Sequence, residues 1–236
     1  MASQELPVFV TAGDAVLEGT LGIPDRPRGV VLFAHASGSN RHSPRNRYVA
    51  SYLQSHGLAT LLLDLLTVEE EEEERWTRHL RFDEDETEPS RRHLDLEVRT
   101  FADRLIGTSE WLQQNERTLA LGIAYFGAST GAAAVLLAAA RSPYPVEAVV
   151  SRGGRPDLAA DHLRQVRAPT LLIVGGDDEP VIEKNREALG ALGCEKELQI
   201  VPRATHLFEE PGALDAVAHL ATAWYGNHLA ASGRGS

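Results

Sequence analysis

The sequence predicts an α/β protein with a mostly parallel central sheet, helices on both faces and an antiparallel strand pair at its start. Apolar runs of strand length alternate with helical patterns, which is typical of a parallel sheet. Residues 6–11 and 15–23 form the expected antiparallel pair, which turns at Gly13 and Asp14. The later apolar runs, expected to be buried strands, cover residues 29–35, 58–66, 118–127, 146–152, 168–176 and 197–203.

Helical patterns fill the gaps between these strands. The expected helices cover residues 46–56, 90–113, 130–141, 180–192 and 211–229. In the second of them, apolar residues recur at a spacing that lines one helix face, so packing explains them. Only one short helix fits between the strands near residues 150 and 170, so we expect no large lid there.

Composition places the chain among globular proteins. It has 236 residues, of which 43% are hydrophobic and 24% charged, and a formal charge of -11. We expect one domain over residues 1–236 with a disordered tail at about 231–236. The acidic balance argues against nucleic acid or anionic membranes as partners. No signal-peptide pattern or membrane-spanning stretch is present, so we expect a cytoplasmic location. Cys194 is alone, which excludes an intrachain disulfide framework.

A serine stands where one predicted strand meets the next helix. Residues 127–131 read Gly-Ala-Ser-Thr-Gly, a G-x-S-x-G sequence at a strand-to-helix turn. In that context the motif indicates a nucleophile elbow, a strained turn that exposes the hydroxyl of Ser129. The helix N-terminus would offer backbone N–H groups to a developing oxyanion. The alternative is that Ser129 only caps the helix.

Two later loops carry the partners that a nucleophilic serine needs. Asp177 and Asp178 follow one apolar strand, and His206 follows the last strand. The chain order serine, acid, histidine, with each group at the C-terminal end of a strand, predicts a Ser-Asp-His triad. One of the two aspartates is also expected to cap the helix that comes next.

Four stretches, AHASGSNRHSPRN, FGASTGA, VGGDDEPV and ATHLFEEPG, resemble the α/β-hydrolase superfamily, in particular its dienelactone-hydrolase-like members. The resemblance covers about residues 6–230 and implies the α/β-hydrolase fold. It also implies that the acid is Asp178, the aspartate of a G-x-x-D turn. The oxyanion hole would then be formed by the N–H of Thr130 and that of Ser37 or its neighbour Ala36.

Two features depart from the family's pattern. Dienelactone hydrolase proper uses a cysteine nucleophile, whereas this chain has Ser129, so the resemblance does not transfer that substrate. Related proteins usually have His-Gly after the third strand, whereas this chain has His35 and Ala36, which leaves the oxyanion donor open. The implied reaction is hydrolysis of an ester or lactone through an acyl-enzyme, without a metal or organic cofactor.

Three residues are candidates for substrate binding. Arg152 and Arg155 follow the strand after the elbow helix, and one of them is hypothesised to attract a substrate carboxylate. The alternative for either arginine is an ion pair with Asp157 or with the acidic loop. Trp76 lies in the long segment 65–90, where it would line the pocket or pack as an anchor.

The remaining patterns in the sequence support other functions less strongly than the triad supports a hydrolase. The glutamate run at residues 69–74 is typical of a solvated, flexible surface. Spacings for an EF-hand, a zinc site or a P-loop are missing. A non-catalytic binding protein of the same fold, or a hydrolase of thioesters or amides, remains as an alternative.

Overall fold

The computed structural model describes residues 4–36, 38–82 and 91–229. Eight strands form one sheet in the order β1-β2-β4-β3-β5-β6-β7-β8. The strands are β1 Gln4–Ala12, β2 Ala15–Ile23, β3 Val30–Ala34, β4 Ala59–Leu63, β5 Ile123–Ala128, β6 Ala148–Arg152, β7 Thr170–Gly175 and β8 Lys196–Val201. All pairs from β4 to β8 are parallel, whereas β2 is antiparallel to both β1 and β4. The predicted α/β-hydrolase fold is confirmed.

The antiparallel pair at the start turns where the sequence predicts. Ala12 lies opposite Ala15, so a two-residue turn joins the strands. Gly13 has a φ of +67° in that turn, a conformation that glycine adopts without strain.

Helices cover both faces of the sheet. They are α1 Pro44–Ser55, α2 Val68–Phe82, α3 Arg91–Gln114, α4 Thr130–Arg141, α5 Glu179–Ala191 and α6 Ala213–His228. Apolar residues of α3, α4 and α5 pack with one face of the sheet, and those of α1 and α6 pack with the other. Between β6 and β7, where the sequence predicts one short helix, the chain forms a short 3-10 segment, Pro156–Gln165, that is kinked at Ala159 (φ -116°, ψ 15°).

Helix α2 differs from the prediction, which treated the glutamate run as a flexible surface segment. The helix begins with a capping box. The backbone N–H of Glu70 donates to Thr67 Oγ1, and the N–H of Thr67 donates to Glu70 Oε2. Acidic side chains in the first turn also face the positive end of the helix dipole. These local interactions offset the mutual repulsion of the glutamates.

The start of β5 also differs from the prediction. Residues 118–122 were expected in the strand, but Thr118 and Leu121 form a turn closed by a 2.8 Å backbone hydrogen bond. The hydroxyl of Thr118 donates to the carbonyl of Leu112 at the end of α3, which holds this segment to the helix. The strand therefore begins only at Ile123.

Two further expectations concern the C-terminal tail and the absence of a membrane-spanning segment. The predicted tail at 231–236 lies outside the described residues. Within the described part of the chain, no helix combines the length and the apolar character needed to cross a membrane.

Candidate active site

Ser129 occupies a strained turn between β5 and α4. Its φ is +53° and its ψ is -118°, a region that residues other than glycine rarely adopt. The side chain makes no capping hydrogen bond to α4, so the helix-cap alternative is not what the structure shows. The hydroxyl of Ser129 therefore lies at the C-terminal end of a central strand and does not cap α4.

The two glycines of the motif allow this turn to pack. A Cβ atom on Gly127 would lie 2.5 Å from Cα of Ala132, and one on Gly131 would lie 2.3 Å from the carbonyl oxygen of His35. Both distances are far shorter than any real carbon contact. Strand β5, helix α4 and the end of β3 therefore approach so closely that only glycine fits at either position.

His206 contacts Asp178 across two neighbouring loops. Its Nδ1 lies 2.7 Å from Asp178 Oδ2, with the carboxylate mostly buried and the imidazole 38% exposed. Asp178 stands at the N-cap position of α5, yet its side chain does not cap the helix. The side chain of Asp177 is exposed. Of the two candidate acids, Asp178 is the one whose carboxylate reaches an imidazole.

Close backbone packing holds the His206 loop against the end of β7. A Cβ atom on Gly175 would lie 2.3 Å from the carbonyl oxygen of Ala204. The N–H of Asp177 donates to that same carbonyl at 3.0 Å. The glycine pair before Asp177 thus lets the loop that carries the acid and the loop that carries the histidine run side by side.

The end of β6 connects these loops with the Ser129 turn. The N–H of Ser129 donates to the carbonyl of Arg152 at 3.2 Å. A Cβ atom on the next residue, Gly153, would lie 3.5 Å from Nδ1 and Cε1 of His206. The serine turn and the imidazole are therefore both built against the same strand end.

His35 fixes the loop after β3, where one oxyanion donor is expected. The imidazole is buried, its Nε2 accepts a hydrogen bond from the N–H of Leu65, and its Nδ1 lies 2.9 Å from the carbonyl of Ala36. Because Nε2 accepts, Nδ1 carries the proton and donates. Burial lowers the pKa of His35, which keeps the ring neutral as this arrangement requires. Sequence reasoning named His35 only as part of the family pattern after the third strand and assigned it no role, although its place directly after β3 was the available signal.

The predicted oxyanion donors are only partly placed. Thr130 is buried as the first residue of α4, and Ala36 is half-buried in the loop after β3. Ser37 lies outside the described residues. The choice between Ser37 and Ala36 therefore stays a prediction.

The three predicted substrate-binding residues have different surroundings. Arg155 forms a two-pronged ion pair with Asp157, with both N···O distances 2.9 Å, which is the alternative that the sequence left open. Arg152 is 7% exposed and its guanidinium carbon lies 5.7 Å from the ring centre of Phe208. Trp76 is 68% exposed on α2, so it is not a packing anchor.

Over residues 4–36, 38–82 and 91–229, no group of three or more His, Cys, Asp or Glu side chains is placed to hold a metal ion.

The amino-acid sequence matches a known protein family. A sequence model of the dienelactone hydrolase family matches residues 17–227, which includes the Ser129 turn, Asp178 and His206. The chain belongs to the dienelactone hydrolase family. It has the α/β-hydrolase fold, as the sequence resemblance implies.

Solved structures agree with this membership. The dienelactone hydrolase from Anabaena variabilis is 55% identical, with a TM-score of 0.87 over 97% of this chain and 100% of that one. An α/β serine hydrolase without a lid from Xanthomonas campestris is 18% identical, with a TM-score of 0.69 over 96% of both chains. The second likeness shows the fold alone.

A curated relative is a longer protein. A Mycobacterium tuberculosis protein provisionally named a phosphoribosyl transferase is 50% identical over 226 residues. Those residues are 96% of this chain but 47% of the relative, so this member of the dienelactone hydrolase family spans about half the length of the curated protein that it matches.

Proposed function

We propose that this chain is a serine hydrolase that cleaves carboxylic esters, lactones included, through a covalent acyl-enzyme. The observation that carries the proposal is the 2.7 Å hydrogen bond between His206 Nδ1 and Asp178 Oδ2, at the same edge of the sheet as a serine on a strained turn. A serine, a histidine and a mostly buried carboxylate at the C-terminal ends of strands in one sheet are the groups that acyl transfer requires.

The proton path follows from the His206–Asp178 contact. Because Nδ1–H donates to the Asp178 carboxylate, Nε2 is the nitrogen free to accept a proton. In the proposed mechanism Nε2 takes the proton of Ser129 as its Oγ attacks the ester carbonyl, and then gives it to the leaving alcohol. Asp178 stabilises the imidazolium that forms. Water attacks the acyl-enzyme in the same way and releases the acid.

The oxyanion of the tetrahedral intermediate is assigned to two backbone N–H groups. One belongs to Thr130 at the start of α4, where the helix dipole adds a partial positive charge. The other belongs to Ser37 or Ala36, in the loop that the neutral His35 holds. Loss of one such donor costs on the order of 10²–10³ in rate in comparable sites.

The relatives guide the choice of bond to test first. The Anabaena relative is named a dienelactone hydrolase, which supports ester and lactone bonds over amides as the first to assay. This chain matches 47% of the Mycobacterium relative. The name of that longer protein therefore supports no transferase assignment for the half that matches.

The deciding experiment compares the wild type with Ser129→Ala. We expect the wild type to hydrolyse p-nitrophenyl acetate and butyrate and to be labelled by a fluorophosphonate on Ser129, with both properties lost in the variant. Unchanged hydrolysis in the variant would reject Ser129 as the nucleophile. Folded wild-type protein that neither turns over esters nor takes the label would favour the non-catalytic binding function.

A further inference from the structure

Asp64, the first residue after β4, is a mostly buried carboxylate that the proposed mechanism does not use. Its side chain is 10% exposed. Its Oδ1 atom accepts the backbone N–H of Arg41 at 2.6 Å, and its Oδ2 atom accepts a hydrogen bond from the guanidinium of the same residue. One arginine thus engages both oxygens of the carboxylate, and charge-assisted hydrogen bonds of this kind are stronger than neutral ones.

A second strand also holds the guanidinium of Arg41. Its Nη2 atom lies 2.6 Å from Oε2 of Glu18 in β2. The two strands are already joined without this arginine, because β2 pairs with β4 in the sheet and the N–H of Asp64 donates to the carbonyl of Glu18 at 2.9 Å. What the two ion pairs add is the attachment of Arg41, and with it the loop after β3, to the ends of these strands.

The loop after β3 is attached at both of its ends to two consecutive residues. At its start, Nε2 of His35 accepts the N–H of Leu65 at 3.0 Å. At its end, the N–H of Arg41 donates to Asp64. The residues between these attachments, 36–40, include both candidates for the second oxyanion donor. The position of that donor therefore depends on the end of β4.

The end of β4 is itself fixed, and the loop also contacts the Ser129 turn. The carbonyl of Leu65 accepts a hydrogen bond from the buried guanidinium of Arg104 in α3. On its other side, the carbonyl oxygen of His35 packs so closely against Gly131 that a Cβ atom there would lie 2.3 Å away. The loop thus runs between a fixed strand end and the turn that carries the proposed nucleophile.

We propose that Asp64 is a positioning residue for the oxyanion hole: through Arg41, its carboxylate fixes the loop that supplies the second backbone donor. This inference rests on the proposed hydrolase function and adds a residue to it. A backbone N–H stabilises the oxyanion only when it lies about 3 Å from that oxygen, and a misplacement of about 1 Å can cost on the order of 10² in rate. Because Arg41 engages both oxygens of Asp64, the carboxylate acts on the rate through the loop.

The first test measures kcat and KM separately for p-nitrophenyl butyrate, at a temperature where every variant is folded by circular dichroism. We expect Asp64→Ala to lower kcat by about tenfold to a hundredfold and to keep KM within about threefold, because the oxyanion forms only in the transition states. Asp64→Asn keeps an oxygen for the N–H of Arg41 and should stay within about fivefold of the wild type. The matched control is Asp103→Ala, which removes a carboxylate that pairs with Arg141 between α3 and α4 and should leave both constants unchanged.

Two kinetic results would overturn the positioning role. One is a wild-type kcat in Asp64→Ala, and the other is an equal loss in Asp64→Ala and Asp64→Asn. If Asp64→Ala does not fold, Arg41→Met decides instead, since it keeps the backbone N–H and removes the guanidinium. We expect its kcat to fall by about threefold or more with KM unchanged, and an unchanged kcat would overturn the proposal.

The second test does not depend on turnover. Amide hydrogen exchange is followed by mass spectrometry in peptides that cover residues 35–41 and, for comparison, residues 203–210 around His206. We expect Asp64→Ala to speed exchange in the first segment by about tenfold or more and to leave the second at the wild-type rate, because only the first loses its attachment.

The exchange experiment also separates this inference from the proposed function. Unchanged exchange in residues 35–41, or an equal increase in both segments, would overturn the inference even if the wild type hydrolyses esters. If the wild type does not hydrolyse esters but exchange changes as expected, the proposed function fails and the attachment of the loop by Asp64 stands.

Discussion

At the scale of single residues, the Ser129 turn depends on glycines that leave no room for a methyl group. In Gly131→Ala the added Cβ would lie 2.3 Å from the carbonyl oxygen of His35, and backbone has to move to relieve the contact. Alanine normally favours a helix over glycine, but overpacking costs more, about 1–3 kcal/mol. We therefore expect Gly131→Ala to be destabilised by that amount in urea unfolding and to lose most of the proposed esterase activity.

The matched control for this substitution is Gly226→Ala. Gly226 lies in α6, where a Cβ atom would meet nothing within 4 Å. The same chemical change should therefore stabilise the protein slightly, by at most about 1 kcal/mol, and leave turnover unchanged. Equal stability of the two variants would contradict the packing argument.

Asp178 and Asp177 provide a second test at this scale. In Asp178→Asn the side-chain amide can donate an N–H to Nδ1 of His206 instead of accepting the Nδ1–H. The neutral ring then carries its proton on Nε2, which is the wrong tautomer for accepting the proton of Ser129. We expect kcat/KM for p-nitrophenyl butyrate to fall by on the order of 10³–10⁴. Asp177→Asn changes an exposed side chain next to it and should stay within about tenfold of the wild type. A larger loss in Asp177→Asn would reverse the assignment of the acid.

Sequence reasoning reached the catalytic candidates because their signals are local. A G-x-S-x-G turn, an aspartate after one strand and a histidine after another are each visible in a few neighbouring residues. The choice between Arg152 and Arg155 was not local. The guanidinium of Arg152 lies over the ring of Phe208, and that of Arg155 pairs with Asp157. The first contact joins distant parts of the chain, so no short stretch of sequence reveals which arginine is buried.

At the scale of elements, α2 shows where charge patterning alone was misleading. Six consecutive glutamates suggest a solvated, flexible segment, but the sequence also contains Thr67-Val68-Glu69-Glu70, a capping box whose geometry the structure adopts. The ion pair between Glu70 and Arg104 of α3, 2.5 Å long, then holds the first turn of α2. The capping box could be recognised in the sequence, whereas the contact between Glu70 and Arg104 could not.

This ion pair predicts a pH dependence. The Arg104 guanidinium lowers the pKa of Glu70 below its usual value, so the folded state favours the ionised carboxylate. The stabilisation is present above the unfolded pKa of about 4.5 and is lost as the pH falls through the lower folded pKa. We expect Glu70→Gln to melt below the wild type at pH 7, and the difference to close as the pH falls through the folded pKa of Glu70.

The control for this pH series is Glu72→Gln, which removes an exposed glutamate of the same helix. It should match the wild type throughout, since an exposed charge contributes little. A melting difference for Glu70→Gln that stays constant from pH 7 to pH 3 would show that the capping geometry, not the charge of Glu70, fixes α2.

At the scale of the whole molecule, β5 carries Ser129 and is tied to helices on both faces of the sheet. The hydroxyl groups of Tyr125 in β5 and Ser109 in α3 hydrogen-bond at 2.6 Å on one face. On the other face, the hydroxyl of Tyr225 in α6 donates to the backbone carbonyl of Tyr125 at 2.7 Å. The four bonded groups are buried, so the strand that carries Ser129 is fixed from both layers.

Tyr225→Phe tests the contribution of this link without opening a cavity. The variant loses one buried hydrogen bond and keeps the ring, so the free energy of unfolding should fall by about 1 kcal/mol in urea titrations. Burial raises the pKa of Tyr225 well above 10, so its contribution is complete below about pH 10 and is lost as the pH rises further. Turnover at 25 °C should stay at the wild-type level, because Ser129 is also held by β6 through its own N–H. A variant of unchanged stability but reduced kcat would show instead that α6 positions the Ser129 turn directly.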